Sequence, residues 1–201
     1  MYDSPYQCIR EILQNSVDAT LIRIWLEYGG EGKFRHPGDD EFMDCKRRFP
    51  ICVSIFKNKK DEEFQYWKID IEDKGIGISD EDLKYLTNTG SSSEHRTKNN
   101  IIDEMPSWMK PSGIFGIGFQ SIFMIADAVT IETKSFFDEQ FQIIELNGPK
   151  SKKSGDILIK KKKTDHKVKP GAKLSLIFKT AIMPKTFSVS MDSQNTNTGK
   201  L

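Results

Sequence analysis

Residues 69–78 read IDIEDKGIGI, and this stretch says most about the fold. Alternating apolar residues predict a strand, which runs into a carboxylate and two glycines at alternate positions, Asp73, Gly75 and Gly77. Glycine there lets the backbone turn sharply and lets a flat ligand approach without meeting a Cβ atom. The third glycine of the dinucleotide-binding fingerprint is absent. A plain turn is the alternative interpretation of the motif.

Upstream of this strand, apolar residues at three- and four-residue steps predict a helix from about Pro5 to Trp25. Residues 10–19 of that helix read REILQNSVDA. Glu11, Asn15 and Asp18 fall on one face of it, and apolar neighbours share that face. Two carboxylates and an amide are costly there unless they meet something polar, which indicates a ligand site. A solvated helix face is the favoured interpretation of this motif when it is taken alone.

Downstream, residues 113–119 read GIFGIGF, immediately before an apolar segment that suits a buried helix. Three glycines that open a helix expose backbone N–H groups at the positive end of its dipole, which predicts a phosphate site. No Gly-Lys-Ser/Thr follows, so the run is not a P-loop, and a tight packing loop is the alternative. The polar segment at about 88–113 is too long for an ordinary connector. It predicts a lid hinged on glycine, or else a solvated insertion.

The remaining segments predict a layered domain. A stretch around Pro37 and Gly38 predicts a loop or a short irregular insertion, and Ser79 begins a short capped helix that ends near Leu86. Strands are predicted at 51–56, 66–71, 129–133, 141–146, 157–160 and 174–178. Together these elements predict an α/β (α+β) two-layer sandwich, with a mixed, mainly antiparallel sheet covered on one face by helices. We expect one domain over 1–187, followed at 188–201 by a disordered tail or the start of a linker.

Composition narrows the class of partner. No apolar run is long enough to cross a bilayer and no secretory signal is present, so we expect a cytoplasmic protein with no membrane partner. The net charge of +1 excludes a global attraction to nucleic acid. A local basic hairpin at 150–173 leaves nucleic acid as an alternative partner, although lysines that protect an edge strand are the favoured interpretation. Three cysteines without CxxC spacing indicate buried thiols rather than disulfides or zinc ligands.

In this order, the three motifs resemble those of the GHKL ATPases, the family of DNA gyrase, the ninety-kilodalton heat-shock chaperone, sensor histidine kinases and the mismatch-repair ATPase MutL. The likeness is closest to the nucleotide-binding domain of the chaperone and covers about Pro5 to Phe178. Residues 10–19 look like its first box, 73–77 its second, and 113–121 with the following Ala126-Asp127 its third. The resemblance implies an ATPase domain that binds ATP and ADP with Mg²⁺.

The resemblance also implies a role for each motif residue. Glu11 would be the general base that deprotonates the attacking water, and Arg10 would pair with it until the lid closes. Asn15 would be the Mg²⁺ ligand, and Asp73 would accept a hydrogen bond from the adenine amino group. The other implied nucleotide contacts are Asp18 through water, Gly77 and Ile78 at the base, and Gly113, Gly116, Gly118 and Phe119 at the phosphates.

Three departures from the family qualify the activity. Ala172 stands where the family usually has a threonine, and a lid lysine that contacts the nucleotide has no obvious counterpart. The sequence also starts at the first helix and ends before any middle domain, which in this family supplies a catalytic Arg or Lys. The resemblance therefore implies tight binding with slow turnover, downstream domains of the same protein as partners, and a homodimer at full length.

Several functions share these boxes and stay open. Glu11, four residues before Asn15, favours a hydrolase over a histidine kinase. DNA-associated, defence and signalling ATPases would all start from such a domain. A nucleotide-sensing scaffold that does not hydrolyse ATP is a further alternative.

Overall fold

The computed structural model describes residues 7–30, 32–87, 96–112, 119–153, 155–163, 168–182, 186–191 and 195–200. Six strands form its main sheet: β1 (Cys52–Lys60), β2 (Phe64–Asp73), β3 (Ala126–Lys134), β4 (Gln140–Asn147), β5 (Ile157–Lys163) and β6 (Gly171–Ala181). They lie in the order β1-β2-β6-β3-β4-β5, and each neighbouring pair is antiparallel. The predicted sheet is confirmed, and its described pairs are all antiparallel rather than mixed.

In the described part of the chain, the helical layer contains four α-helices and two 3-10 turns. These are α1 (Gln7–Tyr28), α2 (Asp40–Arg48), α3 (Asp80–Thr87), α4 (Arg96–Glu104), and the turns Ser107–Met109 and Phe119–Met124. Helix α1 packs on β2 and on the 3-10 turn Phe119–Met124. The two-layer sandwich is thereby confirmed. Among the described residues, no helix combines the length and apolarity that a membrane crossing requires.

Strand register explains where the core ends and the site begins. Two successive rows of directly opposed residues on β2, β6, β3 and β4 are apolar and buried: Ile69, Leu176, Val129 and Leu146, then Ile71, Leu174, Ile131 and Ile144. Ile12 of α1 and Ile122 cover them. Burying one such side chain stabilises the fold by about 1.5–3 kcal/mol. The next row, here called the polar row, consists of Asp73, Ala172, Thr133 and Gln142.

A second apolar cluster fixes the C-terminal half of α1. Ile22 and Ile24 are fully buried there, against Phe42 and Cys45 of α2 and Ile76 of the β2–α3 loop. Because this cluster joins α1 to the β2–α3 loop, it sets the distance between the first two sequence motifs.

Four local predictions differ from the structure. Helix α2 was not predicted, because only Phe42 and Cys45 of its nine residues are buried, too few to give a periodic signal. The apolar segment after residue 118 forms a 3-10 turn and then β3, rather than an α-helix. Strands Thr186–Met191 and Asn195–Lys200 (β7 and β8) pair with each other, where a disordered tail or the start of a linker is expected at 188–201. Cys8 and Cys45 are buried as expected, but Cys52 is exposed.

The capped helix that begins after Ser79 is confirmed in detail. Ser79 donates its hydroxyl and its backbone N–H to Asp82 Oδ2, each at 2.8 Å, and its oxygen accepts the Asp82 N–H at 3.1 Å. This reciprocal pattern is a capping box with Asp in place of Glu. The other oxygen of Asp82 accepts from Lys98 Nζ at 2.5 Å. The pair ties α4, within the predicted lid of about 88–113, to the start of α3; residues 88–95 and 113 lie outside the described residues.

Breaking the Lys98–Asp82 pair should cost much stability, because both side chains are nearly buried, 8% and 15% exposed. Burial raises the pKa of Asp82, but the Lys98 charge and hydrogen bonds outweigh it and hold that pKa below its ordinary value. We expect Lys98→Met to lower the unfolding free energy by about 3 kcal/mol, measured by urea unfolding. Arg47→Met, which breaks an exposed pair with Asp44, is the matched control and should cost under about 1 kcal/mol. Equal costs for the two variants would show that the Lys98 pair contributes no more than a surface pair.

Candidate nucleotide site

Helix α1 carries the polar residues of the first motif along one stripe. Asp18 is 2% exposed, whereas Glu11 and Asn15 are half-buried. The Gln14 side-chain amide donates to Asp18 Oδ1 at 2.9 Å, so this buried carboxylate is partnered within the helix. The structure thus brings Glu11, Asn15 and Asp18 together on one side of α1, as predicted.

Arg10 does not share that stripe. It is exposed, and among the described residues no ion pair joins it to Glu11. Adjacent residues on a helix point in directions about 100° apart, so a contact between them requires the long arginine side chain to bend back. The suggested Arg10–Glu11 pairing therefore stays a prediction.

Asp73 ends β2 and is the titratable centre of the site. It is 8% exposed and accepts the Gly75 N–H at 2.8 Å, with further hydrogen bonds from the Ser16 hydroxyl and the Ala172 N–H. Burial raises its pKa from the ordinary 3.8 to about 6, against the lowering effect of these donors. An ionised carboxylate has about four acceptor positions, so three donors leave capacity for one more.

The loop between β2 and α3 is fastened from two sides. Helix α1 contributes the Ala19 carbonyl, which accepts the Ile76 N–H at 3.2 Å, and Arg23, whose Nη1 donates to the Gly75 carbonyl at 3.3 Å. From the sheet side, the Phe136 N–H donates to the Ile76 carbonyl at 2.7 Å. A Cβ atom on Gly75 would lie 2.7 Å from the Ala19 backbone, so this close approach requires glycine.

Arg23 was missed by sequence reasoning. It is 7% exposed, pairs with Glu27 one turn along α1, and stacks over Phe136 at 5.0 Å. An arginine among the isoleucines of a buried helix half is the signal that would have found it, because buried arginines are paired or hydrogen-bonded. Its contact with the Gly75 carbonyl makes it a support for the second motif.

Gly77 is required by both its backbone conformation and its neighbours. Its φ is +67°, and a Cβ atom would lie 2.2 Å from the Lys134 carbonyl oxygen. Gly155 has a similar φ of +81° but nothing within 4 Å of its Cβ position. Comparing the same substitution at the two glycines therefore separates the cost of backbone strain from the cost of steric crowding.

Substituting these two glycines should give clearly different costs. Gly155→Ala is expected to lower the unfolding free energy by about 1 kcal/mol, the cost of a left-handed alanine. Gly77→Ala adds a steric clash with the backbone carbonyl of Lys134. We therefore expect this variant to lower the unfolding free energy by about 3 kcal/mol or more. Chemical unfolding of both variants measures this difference. Similar losses would mean that the β2–α3 loop moves away from β3 at little cost.

The third motif lies mostly outside the described residues. Gly113, Gly116 and Gly118 are not described, so their predicted phosphate contacts stay predictions. Phe119 begins the 3-10 turn that packs on α1, which brings the end of this motif next to the first one.

Ala172 lies in the polar row, next to a buried threonine of the neighbouring strand. Ala172 lies directly opposite Asp73 on one side and Thr133 on the other. Thr133 is 1% exposed; its Oγ1 accepts the Ile78 N–H at 2.9 Å and donates to the Gly171 carbonyl at 2.9 Å. Sequence reasoning missed this residue, although a threonine at the end of a run of inward-facing β3 positions was visible.

A cleft of about 650 Å³ opens at this end of the sheet, beyond the polar row. Arg23, Glu27, Lys74 and Lys173 are among its lining residues, and of the predicted site residues that the structure describes, only Asp73 is in that lining. Glu11, Asn15, Gly77 and Ile78 do not line it. The cleft therefore does not include these described residues of the first two motifs.

Two lysines of β5, within the basic hairpin, form ion pairs with carboxylates. Lys160 pairs with Glu145 at 2.8 Å, and Lys161 pairs with Asp80 at 2.6 Å. Because β5 is an edge strand and two of its four lysines pair with carboxylates, a protected sheet edge stays the favoured interpretation of the hairpin.

The buried carboxylate of Asp73 should make the unfolding free energy depend on pH. Between about pH 4 and pH 6 the folded chain keeps a proton that the unfolded chain has released. The unfolding free energy should therefore fall as pH rises through this window, by up to about 3 kcal/mol from this raised pKa. Asp73→Asn should lack this contribution. Urea unfolding at several pH values measures the unfolding free energy of the wild type and of the variant. A difference between the two that does not change with pH would contradict this expectation.

Comparisons with known proteins agree with this geometry. Residues 2–173 match the profile of the family described as Histidine kinase-, DNA gyrase B-, and HSP90-like ATPase. The chaperone protein HtpG of Chlorobaculum tepidum is 31% identical over 143 residues, which cover 67% of this chain and 20% of that protein. HtpG of Rickettsia akari is 26% identical over 151 residues, 74% of this chain and 21% of the relative. The chain thus spans about a fifth of the length of these relatives.

The family match covers all three sequence motifs, and the described structure has the antiparallel two-layer fold in which the first two motifs meet. On these grounds, the chain belongs to the family of histidine kinase-, DNA gyrase B- and HSP90-like ATPases, as a domain similar to part of the chaperone HtpG.

Proposed function

We propose that this chain binds ATP and ADP together with Mg²⁺ and hydrolyses ATP slowly, as the nucleotide-binding domain of a chaperone-like ATPase. The observation that carries the proposal is the buried Asp73 carboxylate, with acceptor capacity left, beside a loop that requires glycine at Gly75 and Gly77. Such a carboxylate can accept one further hydrogen bond from a flat ligand that enters over the loop.

Base recognition would rest on Asp73. A charge-assisted hydrogen bond from the adenine amino group to this carboxylate contributes about 1.5–3 kcal/mol. Gly77 and Ile78 would line the base, and Asp18 would support it through water. A base with a carbonyl oxygen in place of the amino group would face the carboxylate with a second acceptor and would be rejected.

The phosphates and Mg²⁺ would be held by the other two motifs. Among the described residues, no group of three His, Cys, Asp or Glu could hold a metal by itself. A Mg²⁺ ion that binds together with the nucleotide needs few protein ligands, because the phosphates supply most of its oxygens. Asn15 would supply one protein oxygen. When bound, Mg²⁺ neutralises phosphate charge. Backbone groups of Gly113, Gly116, Gly118 and Phe119 would contact the phosphates at the start of the turn.

Hydrolysis would depend on Glu11. A half-buried carboxylate one turn before Asn15 can accept the proton of a water that attacks the terminal phosphate. Arg10 would restrain this carboxylate until the lid closes. We expect slow turnover in this chain alone, because in the resembled family an Arg or Lys from a following domain completes the catalytic site.

The proposal is tested by thermal unfolding and phosphate release with the same protein. We expect ADP and ATP to raise the melting temperature in the presence of Mg²⁺, GTP to raise it far less, and phosphate release to stay below about one per second. Binding without any phosphate release would support the scaffold alternative. Turnover at tens per second would contradict the proposed need for a further domain.

Retention on nucleic acid tests the remaining alternative. Salt-sensitive retention of DNA or RNA, with no response to nucleotides, would favour a nucleic-acid module built on the basic hairpin.

A further inference from the structure

Asp73 and Ile78, on either side of the two glycines of the second motif, are linked through residues of two other strands, Gly171 of β6 and Thr133 of β3. Gly171 packs so closely on β2 that a Cβ atom there would lie 2.4 Å from the Asp73 carbonyl oxygen. The Gly171 carbonyl accepts the Thr133 hydroxyl, and the same hydroxyl accepts the Ile78 N–H. A closed ring of contacts therefore runs from Asp73 through Gly171 and Thr133 to Ile78.

The Thr133 hydroxyl both donates and accepts a hydrogen bond. A threonine hydroxyl has one hydrogen to donate, and here it goes to Gly171, while an oxygen lone pair receives Ile78. With 1% of Thr133 exposed, water cannot easily replace either partner. Removing the hydroxyl leaves the Gly171 carbonyl and the Ile78 N–H group, both on half-buried residues, without this partner, on two different segments of the chain.

Ala172 makes the role of Thr133 more pronounced. It lies between Asp73 and Thr133 in the polar row, and its methyl group offers no hydrogen bond. The side-chain hydroxyl of the polar row on this side of Asp73 therefore belongs to the next strand, β3, rather than to β6.

We propose that Thr133 is a specificity-determining positioning residue of the nucleotide site. Its hydroxyl holds Ile78 at a fixed place relative to Asp73, and thereby sets how strictly the site selects a base with an amino group over one with a carbonyl oxygen. This inference rests on the proposed function, because it assigns the base to the space between Asp73 and Ile78. Thr133 itself contacts the loop and not the base.

The test compares ADP with inosine diphosphate, which carries a carbonyl oxygen where adenine carries its amino group. Dissociation constants are measured by calorimetry for wild type, Thr133→Val, Thr133→Ser and Thr130→Val, at a temperature where circular dichroism shows each to be folded. Valine keeps the shape of threonine without its hydroxyl, and serine restores the hydroxyl. Thr130 is the matched control, because it lies on the same strand with its side chain on the opposite face.

We expect wild type to prefer ADP at least tenfold and Thr133→Val to lose most of that preference, mainly by weaker ADP binding. Serine should restore the wild-type ratio within about twofold, and Thr130→Val should not change it. If Thr133→Val does not fold, Thr133→Ala, which leaves room for a bridging water, takes its place with the same expectation.

Two results would overturn the inference. Unchanged affinities for both ADP and inosine diphosphate in the valine variant would show that Thr133 does not affect the site, and an equal loss of affinity for both would assign it a merely structural role. Failure of the proposed function is distinguishable, because wild type would then bind neither nucleotide.

Discussion

Asp73→Asn is expected to weaken ADP binding at least tenfold, the largest binding effect of any single change in this site. The asparagine oxygen can keep hydrogen bonds from two of the present donors, Gly75, Ser16 and Ala172, but its amide nitrogen then points hydrogens where the carboxylate offered lone pairs. Loss of a charge-assisted bond of about 1.5–3 kcal/mol corresponds to a factor of roughly 10 to 150 in affinity. Calorimetric titration at pH 7.5, well above the Asp73 pKa of about 6, measures it.

Asp70→Asn is the matched control for this variant. Asp70 lies on the same strand with its side chain on the opposite face of the sheet, where it accepts from Ser175 and pairs with Lys68. Its replacement should leave ADP affinity within about twofold of wild type. Equal affinities for Asp73→Asn and wild type would show that the base is not read by this carboxylate.

Glu11→Ala is expected to reduce ATP hydrolysis at least a hundredfold while ADP affinity changes less than about threefold. A positioned general base contributes about 10²–10⁴ to a rate, whereas a carboxylate beside the terminal phosphate adds little to the binding of a diphosphate. Glu11→Gln, which keeps the shape and removes the base, should lose activity to a similar extent. Phosphate release under single-turnover conditions measures the chemical step.

A slow rate demands a background control for this experiment. Asp73→Asn, purified in the same way, should show only contaminating activity, because it is expected to bind little nucleotide. A Glu11→Ala rate above half of the wild-type rate, after this background is subtracted, would assign the catalytic base to another residue.

The buried Asp73 illustrates a cost that a ligand site carries. At neutral pH the ionised carboxylate is held in a place where burial disfavours its charge, so the domain is less stable than it would be with a neutral group. The expected pH dependence of stability and the expected loss of ADP binding in Asp73→Asn have this same origin. A variant that gains stability near pH 7 and loses binding would fit the usual trade between stability and function.

Parts of the fold with strong local signals could be predicted from the sequence. Helix α1 has a long periodic pattern, and β2 alternates cleanly before Asp73, so both elements were expected and both are found. The box formed by Ser79 and Asp82 was also visible as a helix start, because capping depends on residues three apart in the chain.

The remaining features depend on neighbours that lie far apart in the sequence. Residues 57–60 lie beyond the strand predicted at 51–56, yet they continue β1, because pairing with β2 extends the strand up to the short turn at Asp61. The support from Arg23 to Gly75 spans 52 residues, and that from Thr133 to Ile78 spans 55. Strand order and register create such contacts, and no local pattern encodes them.

The central claim is that an adenine nucleotide binds beside Asp73, and titration of ADP with Mg²⁺ into the wild-type chain tests it most directly. The account predicts saturable binding of one nucleotide per chain, with GDP at least tenfold weaker. Absence of both heat and any thermal shift with every adenine nucleotide would contradict it.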